Sequence, residues 1–357
     1  MRNLKSSSKI VSFIIPFGIK GGIHIHCHNC IIDELKFEIL VEDKDHPQMI
    51  SYIINNLNRT NTWHCTKGKI LIIKESGVRD FLDFSKDHMN QEAIYFRIDH
   101  GEWRPISEVY GILDMRWVDE LIMNESVICY FQPIVNAKGE IYGYEMLSRF
   151  TREDGSLIYP NEVFTAAKKR ERLYALDRLC RMTAVRYAAP LKKKAFINFI
   201  PTSIYSPEFC LKSTVQLANE LGADPSQFVF EVVETEEVGD IAHLKKILAY
   251  YKKKGFKYAL DDVGEGYSTI ELLSELMPQY MKLDIKYVQG VVSDSGKQRI
   301  ATEFLLGALQ IGAVPLAEGV ETREDFEWLK KCGYVLFQGY YFGKPSLIPK
   351  EERILDI

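Results

Sequence analysis

Apolar runs alternate with amphipathic stretches along most of the chain, and this pattern predicts a protein of alternating strands and helices. In the first third, the pattern predicts strands at residues 35–41, 69–74 and 93–98, with helices at 46–57 and 77–89. These elements indicate a small α/β domain over residues 1–105. The helical spacing of apolar residues from 107 to 123 then predicts a connecting helix within residues 106–125.

The pattern after residue 126 is a longer series of buried strands separated by amphipathic helices. Eight apolar runs predict strands at residues 128–135, 141–150, 195–199, 228–233, 258–262, 280–283, 314–317 and 335–337. Eight strands with intervening helices over residues 126–357 match the size of a TIM-type (β/α)8 barrel. The short turn at residues 136–140, which contains Gly139, predicts a hairpin between the first two strands. We therefore expect a modified barrel in which one strand is antiparallel.

Composition and charge narrow the class of protein. Of the 357 residues, 46% are hydrophobic and 26% are charged, as in folded proteins, and no apolar run reaches the length of a membrane span. The formal net charge of −4 gives no overall basic field, so we expect no binding to a DNA or RNA duplex. Seven scattered cysteines indicate reduced thiols and a cytoplasmic protein. The apolar stretch at 10–19 contains Pro16 and precedes no cleavage site, which favours a first strand or an arm over a signal peptide.

Each predicted barrel strand carries a polar residue within its apolar run or directly after it. These residues are Gln132, Glu145, Asn198, Glu231, Asp261 with Asp262, Lys282, Glu318 and Gln338. Buried parallel strands are normally almost continuous hydrophobic runs, and an unpaired buried charge is costly. Because the C-terminal ends of barrel strands meet at one face, the repetition predicts a convergent site. The alternative is that these are ordinary residues at the rim of the barrel.

Oxygen ligands dominate this set, and they indicate the kind of metal. Carboxylates with an amide oxygen favour Mg²⁺ or Mn²⁺ over zinc or copper. The adjacent Asp261 and Asp262 are suited to hold one metal each or to share a bridge, and two metals together clamp the oxygens of a phosphoryl displacement. Lys282 would lie over developing negative charge or an activated water, and Arg149 supplies a guanidinium for phosphate. His243 is the only histidine after residue 126, which excludes histidine-rich metal sites and Ser-His-Asp hydrolysis from this region.

An ordered series of motifs across residues 126–357 resembles the EAL-domain cyclic-di-GMP phosphodiesterase family. The motifs are Gln132-Pro133-Ile134, Tyr-Glu-Met-Leu-Ser-Arg at 144–149, Asn198, Glu231-Val-Val-Glu234, Asp261-Asp262-Val-Gly264, Lys282-Leu-Asp284, Ala317-Glu318-Gly-Val-Glu321 and Gln338-Gly-Tyr340. The resemblance implies hydrolysis of cyclic di-GMP to linear pGpG with two Mg²⁺ or Mn²⁺ ions. It also implies a homodimer.

The resemblance further implies roles for individual residues. The ligands of the first metal match Glu145, Asn198, Glu231 and Asp261. The ligands of the second metal match Asp261 as the bridge, Asp262 and Glu318. The other catalytic positions match Lys282 at the hydrolytic water, Gln338 near that water, and Glu234, which braces the loop after the aspartate pair. The substrate contacts match Gln132, Arg149 and Asp177.

Two residues depart from the family pattern. Met146 stands where alanine is usual, and Val263 stands where phenylalanine is usual. Neither change removes a metal ligand or the lysine, so we expect the reaction to be tuned and not lost. Two alternatives remain open: a catalytically silent cyclic-di-GMP receptor, and a scaffold whose barrel only dimerises.

The first third of the chain contains a cluster of metal-ligating residue types. His24, His26, Cys27, His28 and Cys30 lie within seven residues of one another. Two interpretations are open, a zinc site and a polar entry strand. The sequence names no ligand for this domain, and we expect it to regulate the barrel.

Overall fold

The computed structural model describes residues 32–42, 47–152, 154–232, 240–263 and 270–350. Within these residues the chain forms two compact units. The N-terminal unit contains residues 32–125 together with Asn161–Leu176, and the barrel unit contains Ser126–Pro160 together with residues 177–350. The segment Asn161–Leu176 follows the first barrel strands in the sequence and nevertheless belongs to the N-terminal unit.

The N-terminal unit has a five-stranded antiparallel sheet flanked by two longer helices. The strands are β1 (Lys36–Val41), β2 (Trp63–Lys67), β3 (Ile70–Lys74), β4 (Ile94–Ile98) and β5 (Arg104–Pro105), in the order β2-β3-β1-β4-β5. Helix α1 (Pro47–Arg59) connects β1 to β2, and helix α2 (Glu75–His88) connects β3 to β4. This succession and strand order are those of the ferredoxin-like βαββαβ topology. The small α/β region expected from the sequence is therefore present.

Two details of this unit differ from the sequence prediction. Strands β2 and β5 were not predicted, because their sequences, Trp-His-Cys-Thr-Lys and Arg-Pro, lack an apolar run. The connecting helix predicted within residues 106–125 is two short helices, α3 (Val109–Leu113) and α4 (Trp117–Met123). Between them, the N–H groups of Met115 and Arg116 bond to carbonyls three residues earlier, which tightens the backbone and interrupts the α-helix.

Eight strands of the described residues close into a barrel. They are β6 (Val127–Asn136), β7 (Ile141–Thr151), β9 (Lys194–Phe199), β10 (Phe228–Val232), β11 (Lys257–Val263), β12 (Tyr280–Leu283), β13 (Val314–Ala317) and β14 (Leu336–Gln338), while the short β8 (Leu157–Ile158) adds to β7. Strand β6 is antiparallel to its neighbours β7 and β14, and the remaining barrel pairs are parallel. The modified (β/α)8 barrel with one antiparallel strand is confirmed.

The other α-helices of the described residues follow β7 in the sequence. They are α5 (Pro160–Lys169), α6 (Leu173–Ala188), α7 (Pro207–Cys210), α8 (Lys212–Glu220), α9 (Ile241–Lys253), α10 (Ile270–Leu276), α11 (Ile285–Val288), α12 (Ser295–Ile311) and α13 (Arg323–Cys332). Most of α5 and the start of α6 lie in the segment Asn161–Leu176 of the N-terminal unit. In the part of the chain that the structure describes, no helix combines the length and hydropathy needed to cross a membrane.

A buried charge network holds Asn161–Leu176 within the N-terminal unit. Arg170 is fully buried, and its NH1 and NH2 groups donate to the two oxygens of Glu75 at 3.0 Å each. Its Nε donates to Asp119 Oδ1 at 3.2 Å, and Arg172 Nε donates to the same oxygen at 3.1 Å. Burial alone would lower the pKa of Arg170, but Asp119 and Glu75 more than offset that effect. The guanidinium therefore stays charged, and its removal would take the cationic partner from buried Glu75 and leave buried Asp119 with Arg172 alone.

We expect Arg170→Met to destabilise the N-terminal unit by about 3–5 kcal/mol, the usual cost of breaking a buried ion pair on one side. The matched control is Arg79→Met, because Arg79 pairs with Asp114 on the surface of the same unit at 3.9 Å, and such pairs contribute about 0–1 kcal/mol. Hydrogen exchange of β1 and β4 in increasing urea measures the difference. Equal stability of the two variants would contradict a structural role for the Arg170 network.

Candidate functional site

The inner face of the barrel carries an apolar layer. It contains Ile134, Phe196, Val229, Ala259, Tyr280, Leu316 and Leu336, one residue from each of seven strands. On the remaining strand, β7, Gly143 occupies the corresponding position, where a Cβ atom would lie 2.4 Å from the carbonyl oxygen of Lys194. We call these eight residues the floor layer.

A second layer of side chains follows the floor layer at a spacing of two residues on every strand. It contains Gln132, Glu145, Asn198, Glu231, Asp261, Lys282, Glu318 and Gln338, which we call the polar layer. Residues two apart on a strand project from the same face, so these side chains also face the barrel interior. They lie beyond the floor layer at the C-terminal ends of the parallel strands, where barrels carry their sites.

Lys282 is the centre of one half of the polar layer. Its Nζ lies 2.5 Å from Glu231 Oε1 and 2.9 Å from Asp261 Oδ1, and it also pairs with Glu318 Oε1. Both Lys282 and Glu231 are fully buried. The three strands β10, β11 and β13 thus each direct a carboxylate at one ammonium group on β12.

Glu145 is the centre of the other half. Its Oε1 accepts a hydrogen bond from Asn198 Nδ2 at 3.0 Å, and its Oε2 accepts one from Gln338 Nε2 at 2.5 Å. Gln338 Oε1 is buried and has no hydrogen-bond partner among the described residues. The negative charge of Glu145 acts on Glu231, Asp261 and Glu318, so the two halves form one site.

An irregularity in β11 brings consecutive aspartates to this site. The register between β11 and β12 shifts between Leu260 and Val263, and Asp262 has a φ of 48°. A bulge of this kind redirects side chains that a regular strand would send to opposite faces. Asp261 contacts Lys282, while Asp262 shares a hydrogen bond with Asp284, whose Oδ1 also accepts from Lys286 N at 2.7 Å.

Burial and crowding of like charges shift the acidity of these groups. Burial raises the pKa of Glu231, Asp261 and Glu318, although Lys282 opposes the rise. Burial and the charge of Asp261 raise the pKa of Asp262 to about 7. Burial alone would lower the pKa of Lys282, but its carboxylate neighbours outweigh that effect and raise it. The side chain of Lys282 therefore stays charged, and the site contains more carboxylates than this one ammonium group neutralises.

The donor set fits a hard divalent cation. One oxygen from each of Glu231, Asp261 and Glu318 lies within 4.8 Å of the others. Glu231 Oε2 is buried and has no hydrogen-bond partner among the described residues, which is costly for a carboxylate oxygen unless a cation approaches it. Oxygen-only donors and an excess of negative charge are the conditions that Mg²⁺ and Mn²⁺ prefer.

A glycine fixes the loops that follow β13 and β14. Gly339 has a φ of 154°, and a Cβ atom there would lie 2.1 Å from the carbonyl oxygen of Val320. This close approach lets Val320 N donate to Gln338 O at 2.9 Å, while Tyr341 N donates to Val320 O at 3.0 Å. The backbone that carries Glu318 is thereby bonded to the backbone that carries Gln338.

The predicted phosphate-binding side lies on β6 and β7. Gln132 is the register partner of Glu145, so the two side chains share a face. Arg149, four residues after Glu145 on the same face, is half-buried, and its guanidinium carbon lies 5.3 Å from the centre of the Tyr130 ring. Met146 is buried on the opposite face of β7, so its bulk does not enter the polar layer beside Glu145.

The described hydrogen bonds of Asp177 are made with residues outside the polar layer. This aspartate is buried on α6, where its Oδ1 accepts from Ile200 N at 3.0 Å and its Oδ2 pairs with Arg181 NH1 at 2.9 Å. Asp284 and Arg181 are residues to which the sequence analysis gave no role. An arginine four residues after an aspartate on an otherwise apolar helix face was the available signal for the Arg181 pair.

Several predicted features lie outside the described residues. They are Glu234, Gly264, and the cluster of His24, His26, Cys27, His28 and Cys30. Val263 is described, and it is buried at the end of β11. The predicted roles of the residues outside the described ranges stay predictions.

Comparison with known proteins supports this architecture. The EAL domain family model matches residues 115–345. The probable cyclic di-GMP phosphodiesterase PdeG of Escherichia coli K12 is 32% identical over 232 residues, which cover 63% of this chain and 45% of that protein. The chain spans about half the length of the curated relatives it matches.

Solved structures of EAL proteins have the same barrel fold. A standalone versatile EAL protein from Vibrio cholerae O395, in its c-di-GMP-bound form, is 36% identical with a TM-score of 0.56, covering 62% of this chain and 92% of that one. The Xanthomonas citri FimX EAL domain, in complex with c-diGMP, has a TM-score of 0.62 at 18% identity, covering 69% and 99%, which is a likeness of fold. Since the family match spans all eight barrel strands and the polar layer, the chain belongs to the EAL domain family.

Proposed function

We propose that this protein hydrolyses cyclic di-GMP to linear pGpG with the help of two divalent metal ions, Mg²⁺ or Mn²⁺. The observation that carries the proposal is the polar layer, in which oxygen donors and one lysine converge on the C-terminal side of the floor layer. The relative named as a probable cyclic di-GMP phosphodiesterase and the c-di-GMP-bound structure that this chain resembles support the same substrate.

The residues divide into two sets that would hold the ions. Glu145, Asn198, Glu231 and Asp261 would hold one ion, and Asp261, Asp262 and Glu318 would hold the other. Two bound divalent ions supply a nucleophile at neutral pH and offset charge on the reacting phosphate. Hydrolysis adds one water across one of the two phosphodiester bonds, so the ring opens to a linear dinucleotide.

The chain's own groups position and stabilise this reaction. Lys282 is held by three carboxylates, so its charge is already oriented where negative charge develops on the phosphate. Gln338 is bonded to Glu145 at the same level and is placed to orient the water. On the β6–β7 side, Gln132 and the half-buried Arg149 would contact the substrate, the arginine through phosphate oxygens. Glu234 would brace the loop that follows Asp262.

An intact set of ligands and the buried lysine favour an enzyme over a silent receptor or a dimerisation scaffold. A receptor needs contacts on the substrate, such as Arg149, but gains nothing from a fully buried Lys282 among carboxylates, which is expensive to desolvate. The homodimer and the cytoplasmic location stay predictions. The described cysteines, Cys65, Cys129, Cys180, Cys210 and Cys332, are all free, as expected in a reducing compartment.

We also propose that the N-terminal unit regulates the barrel. The segment Asn161–Leu176 is bonded into that unit through Arg170 and Arg172. Helix α6 starts in this segment and continues through Asp177 into the barrel unit. The chain thus enters the barrel unit from the N-terminal unit twice, at Ser126 and at Asp177. A change in the N-terminal unit would be passed to the barrel along the chain at these two points.

The proposed reaction should depend absolutely on divalent metal. Chelation should abolish conversion of cyclic di-GMP to pGpG, and Mg²⁺ or Mn²⁺ should restore it, as followed by chromatography of the nucleotides. Calcium should inhibit, because it takes longer and more numerous ligands than Mg²⁺. Full activity in excess chelator would contradict the two-metal proposal, whereas binding of cyclic di-GMP without turnover under any metal would indicate the receptor.

A pair of variants separates chemistry from binding. Lys282→Met should lower kcat by about 100-fold or more, since it removes charge used in the transition state, while KM changes little. Arg149→Met should mainly raise KM, because a phosphate contact exists in the ground state too. Lys194→Met is the matched control: this lysine, at the opposite end of the barrel, donates to Ser226 O at 2.5 Å. The opposite pattern for Lys282 and Arg149 would mean that their roles are exchanged.

If the N-terminal unit regulates the barrel, Arg170→Met should change kcat/KM of the full chain by about 5–150-fold, which is the usual range of allosteric coupling. The full chain is the right material, because deletion of residues 1–125 would remove Glu75 and Asp119 and strand Arg170. Arg79→Met, in the same unit, should leave the rate unchanged. The regulatory proposal would be contradicted if both variants have the kcat/KM of the wild type although hydrogen exchange shows that Arg170→Met destabilises the N-terminal unit.

A further inference from the structure

Asp177 and Arg181 form a buried ion pair on α6 that lies behind the end of strand β9. They are four residues apart and so share one face of the helix. Arg181 is fully buried and Asp177 is 3% exposed. A pair removed so completely from water repays its desolvation only when its remaining atoms are also bonded. The partners of those atoms therefore indicate what the pair does.

The carboxylate of Asp177 is bonded to the chain directly after Asn198. Its Oδ1 accepts from Ile200 N at 3.0 Å. The described ladder between β9 and β10 ends at Phe199, so Ile200 is the first residue beyond it. Asp177 thus supplies the acceptor for the first N–H beyond the ladder, and Ser203 Oγ donates to Ile200 O at 2.7 Å.

Arg181 fixes the carboxylate from the other side. Its NH1 pairs with Asp177 Oδ2 at 2.9 Å, and its Nε donates to Thr214 Oγ1 on α8 at 3.2 Å. Thr214 is itself fully buried. The guanidinium is therefore anchored on two helices, and this restricts Asp177 to the orientation that reaches Ile200.

We infer that Arg181 and Asp177 are positioning residues for Asn198 and do not contact the substrate. The chain of bonds runs from Thr214 through Arg181 and Asp177 to Ile200, two residues beyond Asn198, whose amide reaches Glu145. Residues behind a metal ligand restrict its orientation and so increase metal affinity. This inference deepens the proposed function, since it assigns Asp177 to the metal side of the site and removes it from the substrate side.

The test is Arg181→Met in the full chain, with Arg178→Met as the matched control. Arg178 lies on the same helix, and its Nε donates to Ser213 Oγ at 3.3 Å and not to Asp177 among the described contacts. Arg181→Met should speed hydrogen exchange of residues 200–204 by about tenfold, the effect of losing a charge-assisted bond. It should also weaken Mn²⁺ binding, titrated by electron paramagnetic resonance, by about 10–100-fold. The control should change neither quantity.

Two further variants, Arg181→Lys and Asp177→Asn, test the same inference independently. Arg181→Lys retains the charge beside Asp177, so both quantities should fall between the wild type and Arg181→Met, and this variant serves if Arg181→Met does not fold. Asp177→Asn should weaken Mn²⁺ binding and leave KM for cyclic di-GMP within about threefold. Exchange and Mn²⁺ affinity are measurable without turnover, so they test this inference even if the hydrolysis proposal fails. Wild-type exchange and Mn²⁺ affinity in Arg181→Met, or a raised KM with unchanged Mn²⁺ affinity in Asp177→Asn, would overturn it.

Discussion

Removing carboxylates from water is expensive, and this barrel encloses several of them around one ammonium group. Lys282 pairs with Glu231, Asp261 and Glu318, and its pKa rises because their charges outweigh its own burial. One ammonium cannot neutralise three carboxylates together with Glu145 and Asp262. Burial accordingly raises the pKa of Glu231, Asp261 and Glu318. The residual negative charge is the condition that a divalent cation requires, and the proposed chemistry depends on that excess.

The barrel supplies the geometry that this charge cluster needs. The floor layer closes the interior with mostly apolar side chains, and the next inward position on each strand is polar. Because inward positions recur every two residues, the apolar layer dictates the height of the polar one. Local irregularities complete the arrangement: the bulge in β11 places Asp262 beside Asp261, and Gly339 allows the backbone approach that joins the Glu318 and Gln338 loops.

Much of this could be predicted from the sequence, because the signals are local. A charged residue inside an apolar run is conspicuous, as at Glu231 in Phe-Val-Phe-Glu-Val, and its repetition on successive strands indicates convergence. The contacts that depend on distant residues were not predictable. The Arg170 network joins Arg170 to Glu75 and Asp119 of the same unit, which lie 95 and 51 positions away in the sequence. The bonds of Asp177 to Ile200 and of Arg181 to Thr214 are equally invisible in a linear pattern.

The proposed chemistry requires a two-metal site in the polar layer. Crystals of the full chain grown with Mn²⁺ and examined by anomalous diffraction at the manganese edge test it most directly. A two-metal site should give two anomalous peaks about 3.5–4 Å apart, with Asp261 between them and oxygens of Glu145, Glu231 and Glu318 among the ligands. The absence of any peak in this layer at saturating Mn²⁺, with Lys282 still paired to all three carboxylates, would contradict it.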